Sequence, residues 1–207
     1  FIFFWQWFSH SPVENFFVTF IILISLTINS QSKDLNSLSE NDWLISLEKY
    51  FFNLGSIKGE FTQIDQIGNI TKGIFYSNGK GSIRFEYSTP PEMLIIINKG
   101  IFSIREKKDS QVNHYSLEDS PIANLLSKEL TLDSFHINSL EIAGRIATIE
   151  LRTKKSSLRN SIFITADYPQ PILRQWKIID TQKKETTVFF SKINPINSIL
   201  DSFFEIN

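Results

Sequence analysis

No cysteine occurs in the 207 residues. That absence excludes thiol nucleophiles, CxxC redox pairs, cysteine-ligated zinc, structural disulfides and the cysteine through which a bacterial lipoprotein is acylated. Net charge is nearly absent as well. The 21 Lys and Arg against 22 Asp and Glu leave −1 at neutral pH, which argues against a nucleic-acid partner held by broad attraction to phosphates. Catalytic signatures are missing in the same way. There is no HExxH and no GxSxG, so neither a zinc-protease helix nor an α/β-hydrolase nucleophile elbow is supplied. His10, His114 and His136 stand apart from one another and read as solvated or hydrogen-bonded side chains rather than ligands. The run Asn78-Gly79-Lys80-Gly81-Ser82 fails as a phosphate loop, because Ile74 precedes it where a glycine is needed and Gly81 follows the lysine. It reads as a hairpin turn. The carboxylates are scattered. The sequence therefore assigns no catalytic residue, no metal ligand and no cofactor, and the chain is read as a non-enzyme.

What is present points to a globular protein. Hydrophobic residues make up 42% and charged ones 21%, enough for one ordinary domain with its own core. The distribution is uneven. Glu14 is the one charged side chain of residues 1–30, and every Lys and Arg lies at Lys33 or later. Within that stretch Phe16–Ile28 is mostly apolar, shorter than the ~20 residues of a membrane span but matched to the ~7–15 of a secretory core. A polar run follows, and Ser30 is small enough to precede a cleavage site. Residues 1–30 are read as an export signal cleaved near Ser30, with an uncleaved membrane anchor or a buried element of the domain as rivals, since no basic residue precedes the apolar run. Residues 31–207 are read as a single domain.

That domain opens with a helix. Ser39 suits the N-cap, Glu40 and Asp42 the first turn, and Trp43, Leu44, Leu47, Tyr50, Phe51 and Leu54 recur at helical spacing before Gly55. Short β-prone runs follow at 57–65, 70–77, 82–87, 93–98, 101–107 and 112–117, then a short helix at 122–128 introduced by Ser120-Pro121. Further strands are expected at 135–142, 145–153, 159–166, 172–180 and 185–193. Connections of hairpin length favour one antiparallel sheet of about eleven strands. A sheet that large must curl or be covered, and only two helices are available to cover it.

Phe61-Thr62-Gln63, Gly73-Ile74-Phe75-Tyr76, Ile83-Arg84-Phe85-Glu86-Tyr87 with Pro90, Leu94-Ile95-Ile96-Ile97-Asn98, Ser120-Pro121-Ile122 and Leu125-Leu126 share an order and spacing. Together with Leu173-Arg174-Gln175-Trp176, Asp180, Thr186-Thr187-Val188 and the segment Leu200-Asp201 to Phe203, they resemble the periplasmic outer-membrane lipoprotein carrier family (LolA), in the variant found in alphaproteobacteria. The resemblance runs from about Trp43 to Phe204. It implies an incomplete, half-open antiparallel β-barrel of eleven strands, covered by an N-terminal helix and a short lid helix over an apolar cavity. It implies a non-enzymatic monomeric periplasmic chaperone that takes acylated lipoproteins from an inner-membrane ABC-type release complex to an outer-membrane acceptor. Candidate cavity residues are Leu47, Phe61, Phe75, Ile83, Phe85, Tyr87, Leu94, Ile96 and Trp176, with Ile122, Leu125 and Leu126 on the lid. Sequence alone does not divide such an apolar face into cavity lining and core. One departure stands out. The family carries Arg-Pro in the loop that fastens the lid, where this chain has Gly79-Lys80, and a lysine lacks the planar fork of arginine. A lipid- or lipoprotein-sensing binding protein of the cell envelope on the same fold is the alternative function.

Overall fold

Helix α1 (Glu40–Phe52) starts where its cap residue dictates. The Ser39 hydroxyl accepts from the backbone N–H of Asp42 at 3.1 Å, and Glu40 and Asp42 place negative charge at the positive end of the helix dipole. Asn53 is the C-cap, and Gly55 turns the chain two residues later with φ +58°, a conformation glycine adopts without strain. Trp43 and Leu47 are fully buried, whereas Phe52 faces outward. The computed structural model describes residues 39–88, 92–106, 108, 111–117, 131–154, 160–180 and 182–206. The expected export segment 1–30 and the short helix at 122–128 lie outside them.

Eleven strands follow: β1 (Ile57–Ile64), β2 (Ile70–Ser77), β3 (Ile83–Tyr87), β4 (Met93–Asn98), β5 (Ile101–Glu106), β6 (Val112–Ser116), β7 (Phe135–Ala143), β8 (Ile146–Thr153), β9 (Ser161–Asp167), β10 (Leu173–Ile179) and β11 (Glu185–Pro195). They form one sheet in the order β6-β5-β4-β3-β2-β1-β11-β10-β9-β8-β7. Two meanders, β1 to β6 and β7 to β11, are therefore sealed to each other by the antiparallel pair of first and last strands. β6 and β7 end the sheet without pairing to each other, so the barrel stays open. Register shifts at Lys58/Glu60, Ile137/Ser139 and Leu173/Gln175 supply the local bends that curl such a wide sheet.

Alternation decides what each face meets. On β3, Ile83, Phe85 and Tyr87 are buried and Arg84 and Glu86 are not. Carried across the register, that inner face collects Phe61, Phe75, Ile95, Ile97, Ile149, Ile164, Val188 and Phe190, and these pack with Trp43 and Leu47 of α1 in one core. The Trp43 indole N–H also donates to the Asp167 carbonyl at 3.2 Å, tying α1 to the end of β9.

The outer face has a smaller core of its own. After β11 the chain runs to a 3-10 turn at Asp201–Phe204, where Phe204 is 1% exposed. The Asn98 side chain donates to the Phe204 carbonyl at 3.1 Å, and the Arg84 guanidinium donates to the Phe203 carbonyl at 3.0 Å. That guanidinium also lies 4.5 Å from the centre of the Phe203 ring and pairs with Glu86 at 2.7 Å. The C-terminal segment is thus fastened across β3 and β4 from outside.

Candidate functional site

The centre of the inner face is a chain of aromatic rings. Tyr87 and Phe61 meet edge to face at 4.8 Å, Phe61 and Phe85 at 5.1 Å, Phe75 and Phe190 at 5.1 Å, and Trp176 and Phe190 at 4.7 Å. Phe85 closes the circuit, 6.2 Å from both Phe75 and Trp176. Edge-to-face contacts of this kind contribute about 0.5–1.5 kcal/mol each beyond area burial. Two glycines make room for the rings. Gly59 pairs with Phe75 and Gly73 with Phe61; a Cβ on Gly59 would lie 2.5 Å from Phe75 Cε1, and one on Gly73 would meet the Glu86 carbonyl oxygen and lie 2.6 Å from Phe61 Cε1. Each phenylalanine therefore lies down across a bare stretch of backbone, and the wall is smooth as well as apolar.

Of the predicted lining residues, Phe61, Phe75, Ile83, Phe85, Tyr87 and Trp176 share this face, and Leu47 reaches the same core from α1. Leu94 and Ile96 do not. Leu94 pairs with Glu86 and Ile96 with Arg84, on the outer face, while Ile95 and Ile97 pair with Phe85 and Ile83. The apolar run Leu94–Ile97 carries no alternation by which to tell its faces apart, because Ile96 is buried too, on the side of the C-terminal segment. On β4 the inner-face positions are therefore Ile95 and Ile97, not Leu94 and Ile96. Sequence reasoning also missed Phe190, the ring that joins Phe75 to Trp176. The lid residues Ile122, Leu125 and Leu126 lie outside the described residues.

Gly79 and Lys80 form the β2–β3 turn. Asn78 organises it, its side-chain oxygen accepting from the N–H groups of Lys80 at 2.8 Å and Ser82 at 3.0 Å. Gly79 has φ +67°, and a Cβ there would run into the backbone of Gly55, 2.7 Å from its Cα. The turn thus packs against the end of α1, and an arginine at position 79 does not fit. Lys80 itself is exposed.

Polar groups on the inner face are few. The Tyr87 hydroxyl donates to Gln63 Oε1 at 2.7 Å, and burial pushes its phenol up to about 12. Among the described residues, the Trp176 indole N–H, the Thr71 hydroxyl and the Asn160 side-chain oxygen are buried without a hydrogen-bond partner. A buried donor left unmet costs about 1–3 kcal/mol. Two open recesses lie elsewhere. One, of about 570 Å³, is lined by residues including Arg145, Asp167, Tyr168 and Arg174. The other, of about 530 Å³, lies between α1 and the segment Thr131–Ile137. Neither includes a predicted lining residue. His114 lies on the exposed strand β6, its Nδ1 2.8 Å from the Ser103 hydroxyl.

An unclosed antiparallel sheet with a ring-lined apolar face and a covering helix defines a half-open barrel. Comparison with known proteins narrows this. The family "Outer membrane lipoprotein carrier protein LolA" matches residues 53–207, and the chain belongs to that family. A protein of Rickettsia prowazekii (strain Madrid E), itself uncharacterized, is 24% identical over 189 residues, covering 91% of this chain and 86% of the relative. Among solved structures, a LolA superfamily protein from Nitrosomonas europaea superposes with a TM-score of 0.50 at 8% identity, over 82% of this chain and 99% of that one. A chain of the Pseudomonas aeruginosa MucA/MucB complex gives 0.41 at 14% identity, over 80% of this chain and 60% of the other.

Proposed function

We propose that this protein is a periplasmic chaperone that shields lipoprotein acyl chains against the inner face of its sheet and carries them from the inner to the outer membrane. Its partners on this reading are acylated lipoproteins as cargo, an inner-membrane ABC-type release complex as donor and an outer-membrane acceptor. One observation carries the reading: six aromatic rings in unbroken contact, laid over two bare glycines, on one face of a sheet that never closes. Ordinary core packing needs no such smooth wall.

The physics of transfer follows from that wall. Each buried methylene of an acyl chain contributes about 0.8 kcal/mol, so one long chain outweighs the net stability of a typical domain unless something competes for the same surface. Here the rings are already covered: Phe61 is 2% exposed and Phe75 3%. Cargo must displace the protein's own apolar cover, and only the difference between the two sets of contacts holds it. Release is then a shift between covered and loaded forms, governed by differential affinity. Incubating the protein with spheroplast membranes tests the reading. A triacylated lipoprotein is expected to leave the membrane in a soluble one-to-one complex; folded protein that releases none refutes it.

A further inference from the structure

Three side-chain polar atoms among the described residues are buried without a hydrogen-bond partner, Trp176 Nε1, Thr71 Oγ1 and Asn160 Oδ1, and the first two, both able to donate, lie in one line on the inner face. Trp176 pairs with Val188 across β10 and β11, Val188 with Gln63 across β11 and β1, and Gln63 with Thr71 across β1 and β2. Residues directly opposite in an antiparallel pair share a face, so Trp176, Gln63 and Thr71 form a single cross-strand row. The Tyr87 hydroxyl reaches into the same row, since it donates to Gln63 Oε1. At about 4.8 Å per strand the row spans roughly 14 Å from Trp176 to Thr71. The rings of Phe61, Phe75 and Phe85 occupy the rows beside it. An indole N–H can only donate, and a hydroxyl can do so. A residue that had merely to fill this core would bring no donor with it, and Trp176 is 5% exposed.

We infer that this row is the carbonyl-binding band of the site, and that the protein recognises its ligand as an acyl chain joined through an ester or amide carbonyl rather than as plain hydrocarbon. The inference rests on the carrier reading and deepens it: the aromatic rows hold the chains of a multiply acylated ligand, and Trp176 and Thr71, three strand spacings apart, each donate to the carbonyl oxygen of a different chain. A single acyl chain meets one of the two donors, and a second chain the other. A hydrocarbon of the same length gains the same apolar contact without satisfying either.

The test compares three probes on the full-length protein by displacement of a fluorescent apolar reporter: methyl hexadecanoate, N-methylhexadecanamide and octadecane, which has no acceptor. The carbonyl probes are expected to bind about tenfold more tightly than the hydrocarbon, the scale set by satisfying one buried donor. In a Trp176→Phe, Thr71→Val double variant the ratio falls to about one; loss of wall area weakens all three probes alike and cancels in the ratio. Preference for only one carbonyl probe identifies the linkage recognised. Equal binding of ester, amide and hydrocarbon by the wild type, or a preference that survives in the double variant, overturns the inference and leaves the carrier reading standing. Binding of none overturns both. A second readout needs no variant to stay folded. In ¹⁵N-labelled wild-type protein the Trp176 indole proton resonance moves downfield with the ester and not with the hydrocarbon. A resonance that stays in place means that the N–H rests on the face of the Phe190 ring and takes no ligand.

Discussion

Replacing Phe204 by alanine separates the two faces of the sheet. The ring is 1% exposed and lies outside the main core, in the C-terminal turn that Asn98 of β4 holds through the Phe204 carbonyl. A buried aromatic side chain removes about 150–250 Å² from water, which at about 25 cal/mol per Å² is roughly 4–6 kcal/mol. The unfolded chain already hides part of that area, and the C-terminal segment can settle partly into the gap, so a loss of about 3–4 kcal/mol is expected, within the range of Phe→Ala changes in cores. The hydrogen bond from the Asn98 side chain to the Phe204 carbonyl does not involve the ring and survives. Against a typical total of about 5–15 kcal/mol this is a large fraction, and for a domain of this size it lowers Tm by about 10 °C. Urea denaturation gives the loss directly. Affinity for an apolar fluorescent probe, measured well below the transition, is expected to stay within twofold, because the ring backs the outer face and touches no part of the aromatic wall. A loss under about 1 kcal/mol, or probe affinity that collapses with the folded protein intact, refutes the division into an outer structural core and an inner binding face.

Three further outcomes follow from particular residues. Gly79→Arg, which supplies the arginine the family carries in this loop, is expected to destabilise by at least ~1–3 kcal/mol, from the φ of +67° and the contact with Gly55; an unchanged thermal midpoint contradicts it. The Tyr87 phenol, raised to about 12 by burial from an ordinary 10, adds stability that is fully present below pH 10. Between pH 10 and 12 the unfolded chain ionises first, so that stability of about 2–3 kcal/mol is lost, and Tyr87→Phe should show a shallower decline in urea midpoint over that window. Burial raises Tyr50 in the same direction, so the variant's curve flattens without becoming level. Leu125→Asp or Leu126→Asp is expected to weaken probe binding several-fold if the short helix covers the wall as the resemblance implies; equal affinity removes those leucines from the site.

Most strands were legible because their alternation was clean. Ile83-Arg84-Phe85-Glu86-Tyr87 announces both its conformation and its inner face, and the register then carries that face across the sheet. Legibility failed where alternation did. Leu94–Ile97 is apolar at every position because both faces are covered, one by the core and one by the C-terminal segment, and no local signal orders them. Phe189-Phe190 poses the same problem, and only the pairing of Phe190 with Phe61 brings it inside. Leu173 and Trp176 stand three apart yet share a face, since the register shift at Leu173/Gln175 adds a residue. Gly59 and Gly73 look like strand-weakening residues until each is found opposite a phenylalanine. Gly79 reads as a lost arginine until its closeness to Gly55 is seen. These are long-range facts, invisible to any window of neighbouring residues.

If acyl cargo lies against the inner face of the sheet and nowhere else, a crosslinker tells the two faces apart. A photoreactive benzoylphenylalanine is placed at Phe85, on the inner face, and in a second protein at Leu94, which pairs with Glu86 on the outer face. Each protein is loaded with radiolabelled triacylated lipoprotein and irradiated. Label is expected at position 85 and none above background at 94. Equal crosslinking at both positions, or crosslinking at 94 alone, contradicts it.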